Sequence, residues 1–340
     1  MKVSNNLQNI IPNNLTNYRT ARYEGDGFNV TLKDFVPEDA ALIVRVYNTV
    51  KKIYDLWLYM KDAPNYELMG KQIEQLGSDR FLRSVHAIGS ATYDLQEPTP
   101  LLRKVIHDVR GGGLSVLIGL ATLLNRDTSD KIAYIKQSIT AACDHAKLMR
   151  NAIEDIDPLV READESIKVH PVTDFVDKWR DLEFAVSKTP VKVEVECTFE
   201  GNVTNRCLET SSIDRILYNY INNAARFTVD NRVRLTILPV GDNLVRWVVQ
   251  NSISERQKDW LHEKVGENLG DLFRGGITRG GHGIGLSNCA DFVAAAFGTR
   301  DADEAIEQKY LGAHIIDDQY YAWFHWPAYF AQPSDPICEC

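Results

Sequence analysis

An α+β class follows from three features of the chain. Apolar residues recur at heptad spacing near its middle, a strictly alternating strand follows, and later strands and helices show no regular βαβ repeat. The heptad stretch predicts a helical hairpin and the alternation a half-buried strand. The irregular remainder predicts an α/β sandwich rather than a doubly wound sheet. With 340 residues, the chain has room for two or three domains, each with its own core.

Composition narrows the class further. Hydrophobic residues at 44% and charged residues at 25% are those of a folded globular chain, not a disordered one. A net charge of −9 argues against a general nucleic-acid binder. The cysteines Cys143, Cys197, Cys207, Cys289, Cys338 and Cys340 contain no CxxC pair, which fits free thiols in a reducing compartment. The start, MKVSNNLQNIIPNN, lacks a signal-peptide core, and no run approaches 18 apolar residues. A cytoplasmic protein without a membrane span is expected.

Residues 1–36 are polar and rich in asparagine, and read as an extended arm. From Pro37 to Met60 the apolar residues fall at helical spacing, with Pro37 and Glu38 suited to a first turn. Helical sequence continues to about residue 92, where QEPTP breaks it. A stripe of Leu102, Ile106, Val109, Gly113, Leu117, Leu120 and Leu124 then steps by four and three. After NRDTSD a second stripe runs Ile132, Ile135, Ile139, Ala142, Ala146, Met149, Ile153 and Ile156. Two such helices make an antiparallel hairpin, with Gly113 roughly opposite Ala142. One hairpin has too little core to stand alone, so a homodimeric four-helix bundle is expected.

Past Asp157-Pro158 the period changes. VKVEVEC at 191–197 alternates, Ser211–Phe227 is helical, and strands at Arg232–Pro239 and Leu244–Gln250 flank turn residues Gly241, Asp242 and Asn243. A glycine-rich passage leads into a helix at Leu286–Phe297, and an aromatic strand, Tyr320–Trp326, ends at Pro327.

Three segments carry chemistry. GGITRGGHGIGLSNC, residues 275–289, is a loop running into a helix start. Its glycines let backbone approach a polyphosphate, and its helix amides attract anions. In ILYNYINNAARFT, 216–228, Asn219 and Asn223 share one helix face. Asparagine is a mediocre helix former, so the pair suggests a duty such as holding a metal through amide oxygen. Arg226, one turn from Asn222, is within reach of a phosphate. His107 stands off the hairpin seam by roughly 130° and should face solvent, with Asp108 and Arg110 nearby. An isolated histidine so placed is ordinarily just a surface residue.

Together these segments resemble the sensor histidine kinases. ILYNYINNAARFT is similar to that family's asparagine box, GGHGIGL to its second glycine box, and LFRGGITR (272–279) to its phenylalanine box and mobile lid. VIHDVRGG, 105–112, resembles the acceptor-histidine box of the dimerisation domain. The resemblance covers about residues 97–330, and the order of the two domains agrees. It implies a hairpin followed by an ATPase domain of the histidine-kinase type, with ATP and Mg²⁺ as cofactors. Asn223 would hold Mg²⁺ with Asn219 in support, Arg226 would contact phosphate, and Phe227 would wall the nucleotide. Gly281, Gly283 and Gly285 would cradle the phosphates, among His282, Ile284 and Leu286, under a lid containing Thr278. His107 would attack the γ-phosphate beside Asp108, and the phosphohistidine would pass its group to an aspartate of a response-regulator receiver domain.

Two departures stand out. The family's first glycine box supplies an aspartate for the adenine amino group, whereas VVQNSIS, 248–254, places Asn251 there and lacks the following glycines. A neutral amide oxygen accepts the weaker hydrogen bond, so reduced nucleotide affinity is expected. Second, Gly111, Gly112 and Gly113 follow the histidine, at a cost of roughly 3 kcal/mol relative to alanine inside a helix. They suggest a bend or a close approach, and make phosphatase activity by the family's usual route doubtful. The expected domains are therefore a helical N-terminal region of unassigned role (1–95), a dimerisation and phosphotransfer hairpin (96–158), an ATP-binding domain (165–330) and a tail (331–340). The alternative reading is a histidine phosphotransferase or regulatory pseudokinase whose ATPase domain has degenerated.

Overall fold

The computed structural model describes Ile11, Leu15 and residues 29–330 apart from 96, 127–130, 186–189 and 280–282. The chain forms two compact units. One, helical, contains Phe28–Glu165 with Glu183–Pro190; the other contains Met1–Gly27, Ser166–Leu182 and Val191–Cys340.

The helical unit begins with α1, Pro37–Met60, whose proline occupies the first turn where its missing N–H costs nothing. Short helices α2 (Tyr66–Glu74), α3 (Asp79–Ala87) and α4 (Ser90–Leu95) follow. The expected hairpin is present, but its first arm is two helices, α5 (Pro100–Arg110) and α6 (Gly113–Leu124). Thr99 caps α5 by accepting from the Leu102 N–H at 3.2 Å. Gly112, with φ 53° and ψ −129°, then breaks the run in a conformation that only glycine adopts readily. The apolar stripe through residue 124 therefore does not belong to one continuous helix. The glycines form a joint rather than a costly interior. The second arm is α7, Lys131–Ala152, followed by α8, Pro158–Glu165.

Apart from Ile132, which is 51% exposed, and the half-buried Ile156, the seam is closed within the chain. α1 packs along α7, and α2 packs against both α6 and α7. Leu117, Leu120, Ala142 and Met149 are fully buried, as are Ile43, Val46 and Val50 of α1. The N-terminal helices thus share one core with the hairpin, and the reason given for a dimer, a bare seam, is removed. Polar bonds tie the far end: Arg150 Nε donates to Asp164 at 2.6 Å, Tyr47 Oη to Asp157 at 2.6 Å, and Lys51 pairs with Asp157 at 2.8 Å. At the joint, a Cβ on Gly112 would touch Leu148 Cδ1 at 3.4 Å, so α5–α6 and α7 approach closely there.

The second unit is the mixed one. Strand β1 (Ile167–Pro171) leads to α9 (Val172–Trp179), then β2 (Val191–Cys197), β3 (Asn202–Arg206) and α10 (Cys207–Phe227). There follow β4 (Arg232–Val240), β5 (Leu244–Ser252), α11 (Glu255–Val265), a 3₁₀ turn at Leu269–Arg274, α12 (Gly285–Phe297), α13 (Ala302–Glu307), β6 (Leu311–Ile316) and β7 (Gln319–Pro327). β1 pairs antiparallel with β3. Five strands of this unit lie side by side as β2-β4-β5-β7-β6, with β2 and β4 parallel and the rest antiparallel. This is the expected α+β class.

Register sorts the sheet into two faces. Leu235 opposes Val249, Ile237 opposes Trp247 and Trp247 opposes Phe324, which gives one apolar face on which α10 packs. Trp247 and Phe324 stack at 5.7 Å, and Tyr220 of α10 meets Phe324 edge-on at 5.8 Å. On the other face Val248, Tyr321 and Trp323 are covered by Ile11. α10 begins four residues earlier than the sequence indicates, because Cys207–Thr210 contribute its first turn. Cys143, Cys197, Cys207 and Cys289 are free thiols, as expected.

Candidate phosphoacceptor and nucleotide sites

His107 lies in the last turn of α5, just before the glycine joint. Its side chain is 24% exposed, and Nδ1 lies 3.1 Å from Oδ1 of Asp108. An ionised carboxylate accepts only, so this contact sets Nδ1 as the protonated nitrogen and leaves the lone pair on Nε2. Nε2 has no hydrogen-bond partner among the described residues. Asp108 itself is buried rather than lying at the surface with the histidine. Its carboxylate therefore approaches the ring from the packed side.

Behind Asp108 sits a residue that the sequence reading missed. His145 of α7 is completely buried, near the Val109 carbonyl and the Asp108 charge, and neither ring nitrogen makes a well-formed hydrogen bond. Loss of water pushes its pKa down to about 4, against smaller opposing effects from the Val109 carbonyl, Asp108 and Asp144. The ring is neutral at pH 7. Helical spacing places it between seam positions Ala142 and Ala146, and no motif marks it.

In the other unit the nucleotide candidates converge on α10, α12 and β5. Asn219 and Asn223 are half-buried on one face of α10. Asn219 Nδ2 braces its own helix by donating to the Arg215 carbonyl at 2.9 Å. Asn223 makes no side-chain hydrogen bond to any described residue, so its amide oxygen is available as a hard-cation ligand. This fits Mg²⁺ held jointly with phosphate oxygens. Among the described residues no group of three His, Cys, Asp or Glu side chains forms a metal cage. Arg226 is exposed at the end of α10, with its guanidinium 5.4 Å from the Phe227 ring centre.

Asn251 occupies the apolar face of β5, the face on which α10 packs, and is buried. Its Nδ2 donates to the Ser252 carbonyl at 3.2 Å, which leaves Oδ1 to accept from a ligand N–H. α12 packs along α10. It starts at Gly285, with Leu286 in its first turn and Ile284 at the N-cap, where no side chain caps it. Those amide groups are open to an anion. Gly283 has φ 69°, and a Cβ there would lie 3.0 Å from Gly276 backbone. Gly276 N–H donates to the Gly283 carbonyl at 3.1 Å, pinching the base of the loop. Gly275 and Gly276, φ 89° and 79°, were read only as lid glycines, and their doubled occurrence was the available signal for this pinch. Thr278 is exposed between them and α12, whereas Gly281 and His282 lie outside the described residues.

No family model matches the chain, and the comparison with curated proteins found no match. Solved structures are: ShkA, full-length in complex with AMPPNP, has TM-score 0.31 and 16% identity over 65% of this chain and 44% of its own. The mycobacterial sensor histidine kinase MprB has TM-score 0.30 and 15% identity over 48% of this chain and 97% of its own. A histidine kinase from Burkholderia phymatum STM815 has TM-score 0.31 and 10% identity over 83% of this chain and 99% of its own. The chain thus spans less than half the length of ShkA. The structural neighbours are histidine kinases, the family that the motifs resemble. At TM-scores near 0.3 their likeness carries no part of the functional argument, which rests on the side chains above.

Proposed function

We propose that the chain is a cytoplasmic protein-histidine kinase that phosphorylates its own His107 from Mg-ATP and passes the group to an aspartate of a receiver domain. The observation that supports it most is the His107–Asp108 pair, because it sets one ring nitrogen as donor and frees the other as nucleophile. Nε2 attacks the γ-phosphorus, an N–P bond forms and the bond to the ADP oxygen breaks. Asp108 stabilises the ring as it becomes cationic. Asn223, with Asn219 beside it, would hold Mg²⁺, which supplies charge neutralisation on the phosphates. Arg226 would contact a phosphate, Phe227 would wall the nucleotide, and Asn251 Oδ1 would accept from the adenine amino group. Gly283, Ile284, Gly285 and Leu286 would present backbone to the phosphates, together with Gly281 and His282 and under a lid containing Thr278. Among the described residues no helix is long and apolar enough to cross a membrane.

A second reading has a specific observation behind it. With Asn251 in place of a carboxylate, the chain would serve as a phosphotransferase or regulatory pseudokinase that binds ATP poorly. Unfolding temperature separates the two, since a ligand that binds only the native state stabilises it. Mg-ATP at a hundred times its Kd should raise the unfolding temperature by about 5–10 °C, and Asn223→Ala should abolish the rise. No rise at millimolar Mg-ATP favours the second reading. The homodimer remains part of the proposal on narrower grounds, because it must use surface other than the closed seam. A sedimentation mass of one 38.5 kDa chain contradicts it, and twice that mass supports it.

A further inference from the structure

Away from both sites, the second unit brings a thiol, an imidazole and a carboxylate together. Cys207 is the first residue of α10, and its Sγ lies 3.5 Å from Nε2 of His170 on β1. His170 Nδ1 lies 3.5 Å from Oδ2 of Asp174, in the first turn of α9. Pairing of β1 with β3, whose last residue precedes Cys207, places the thiol opposite the imidazole. Cys207 and His170 are 4% and 2% exposed.

The unusual atom is Asp174 Oδ2. That atom is buried and has no hydrogen-bond partner, although it sits at ion-pair distance from the His170 ring, while the Asp174 side chain as a whole is 33% exposed. The carboxylate thus keeps contact with water and turns one unpartnered oxygen to the ring, and a proton arriving on His170 gives that oxygen a cationic partner. Beside the other ring nitrogen, 3.5 Å from Nε2, lies the Cys207 thiol, which can supply that proton. Transfer from Sγ to Nε2 gives a thiolate, an imidazolium and a carboxylate in a row, the arrangement that activates nucleophilic cysteines. Charged groups on the elements packed here include Glu209, Arg206 and Lys178 of α9, which pairs with Asp214 of α10 at 2.7 Å. Glu209 is engaged by Thr204 Oγ1 at 2.7 Å and Trp326 Nε1 at 2.9 Å, and Arg206 immediately precedes the thiol.

We infer that Cys207, His170 and Asp174 form a peroxide-sensitive thiol site, in which Cys207 is oxidised to the sulfenic acid by hydrogen peroxide. The thiolate attacks one peroxide oxygen, an S–O bond forms and the O–O bond breaks. The departing hydroxide takes the proton held by His170 and leaves as water. Sulfur loses two electrons, and peroxide gains them. Burial restricts the oxidant to a small molecule and keeps the product from protein thiols. Cys197 serves as an internal reference: it is less buried than Cys207, so burial alone would leave Cys207 the less reactive of the two, and no imidazole adjoins Cys197 among the described contacts.

The test exposes the full-length protein to micromolar hydrogen peroxide at several pH values, quenches it in denaturant containing dimedone, and quantifies each cysteine peptide by mass spectrometry. At pH 7 Cys207 should be trapped at least about tenfold faster than Cys197, following its larger thiolate fraction. His170→Gln should bring the two rates together, and the more conservative Asp174→Asn should slow Cys207 with the fold checked by circular dichroism. Equal rates for Cys207 and Cys197 in the unaltered protein overturn the proposal. So does a Cys207 rate unchanged in folded Asp174→Asn, which also decides the matter if His170→Gln fails to fold.

Discussion

His107 and Asp108 are neighbours in sequence with opposite surroundings, and the proposed phosphorylation gives them different parts. The histidine keeps a quarter of its side chain in solvent, while the aspartate is buried and aims a carboxylate back at Nδ1. Asp108→Asn keeps the shape but removes the charge that offsets the developing imidazolium. The rate of His107 phosphorylation should fall about a hundredfold, read from initial labelling rates. Deeper in, His145 carries a pH signature. Its folded-state pKa, about 4, lies below the ordinary value of 6.5, so the unfolded chain binds the extra proton first. The His145 contribution is complete above pH 6.5 and is lost as pH falls towards 4, at most about 3 kcal/mol. Urea midpoints between pH 4 and 7 should drop for the natural chain more steeply than for His145→Leu. Parallel curves would show that the ring is not held neutral.

Glycines set the working parts of the elements. Gly112 joins α5 to α6 at φ 53°, so Gly112→Ala should cost about 1–3 kcal/mol in urea unfolding, whereas a residue in a regular helix would gain stability by the same change. Gly283→Ala pushes a methyl against Gly276 backbone at 3.0 Å and should weaken nucleotide binding with little effect on the helical unit. An unchanged unfolding-temperature rise with Mg-ATP would contradict the phosphate-loop reading. The α10 asparagines, the alternation of β2 and the glycine run into α12 were legible in sequence because each depends on local period or backbone freedom. The break at Gly112 was not legible, since the apolar stripe runs through it without interruption. Strands β1 and β3 escaped notice because they pair across a long separation, His170 with Thr204, while β6, LGAHII, forms a tight hairpin with β7 but carries no strict alternation to mark it.

At the scale of the whole molecule, the largest revision concerns what covers the hairpin. Periodicity shows that a face is apolar but not which partner buries it. A second chain was the economical guess, yet Ile43, Val46 and Val50 of α1 belong to the same core as the seam. The class and the candidate residues were readable because they rest on local pattern, while the cover depends on long-range packing that no window reveals. The central proposal remains chemical, that His107 is phosphorylated from ATP bound near Asn223. The direct measurement is incubation of the full-length chain with Mg²⁺ and γ-labelled ATP, followed by acid and alkali treatment of the washed protein. The account predicts label that acid removes and alkali spares, absent from both His107→Gln and Asn223→Ala. Label that persists in folded His107→Gln, or none in the natural chain at millimolar ATP, would contradict it.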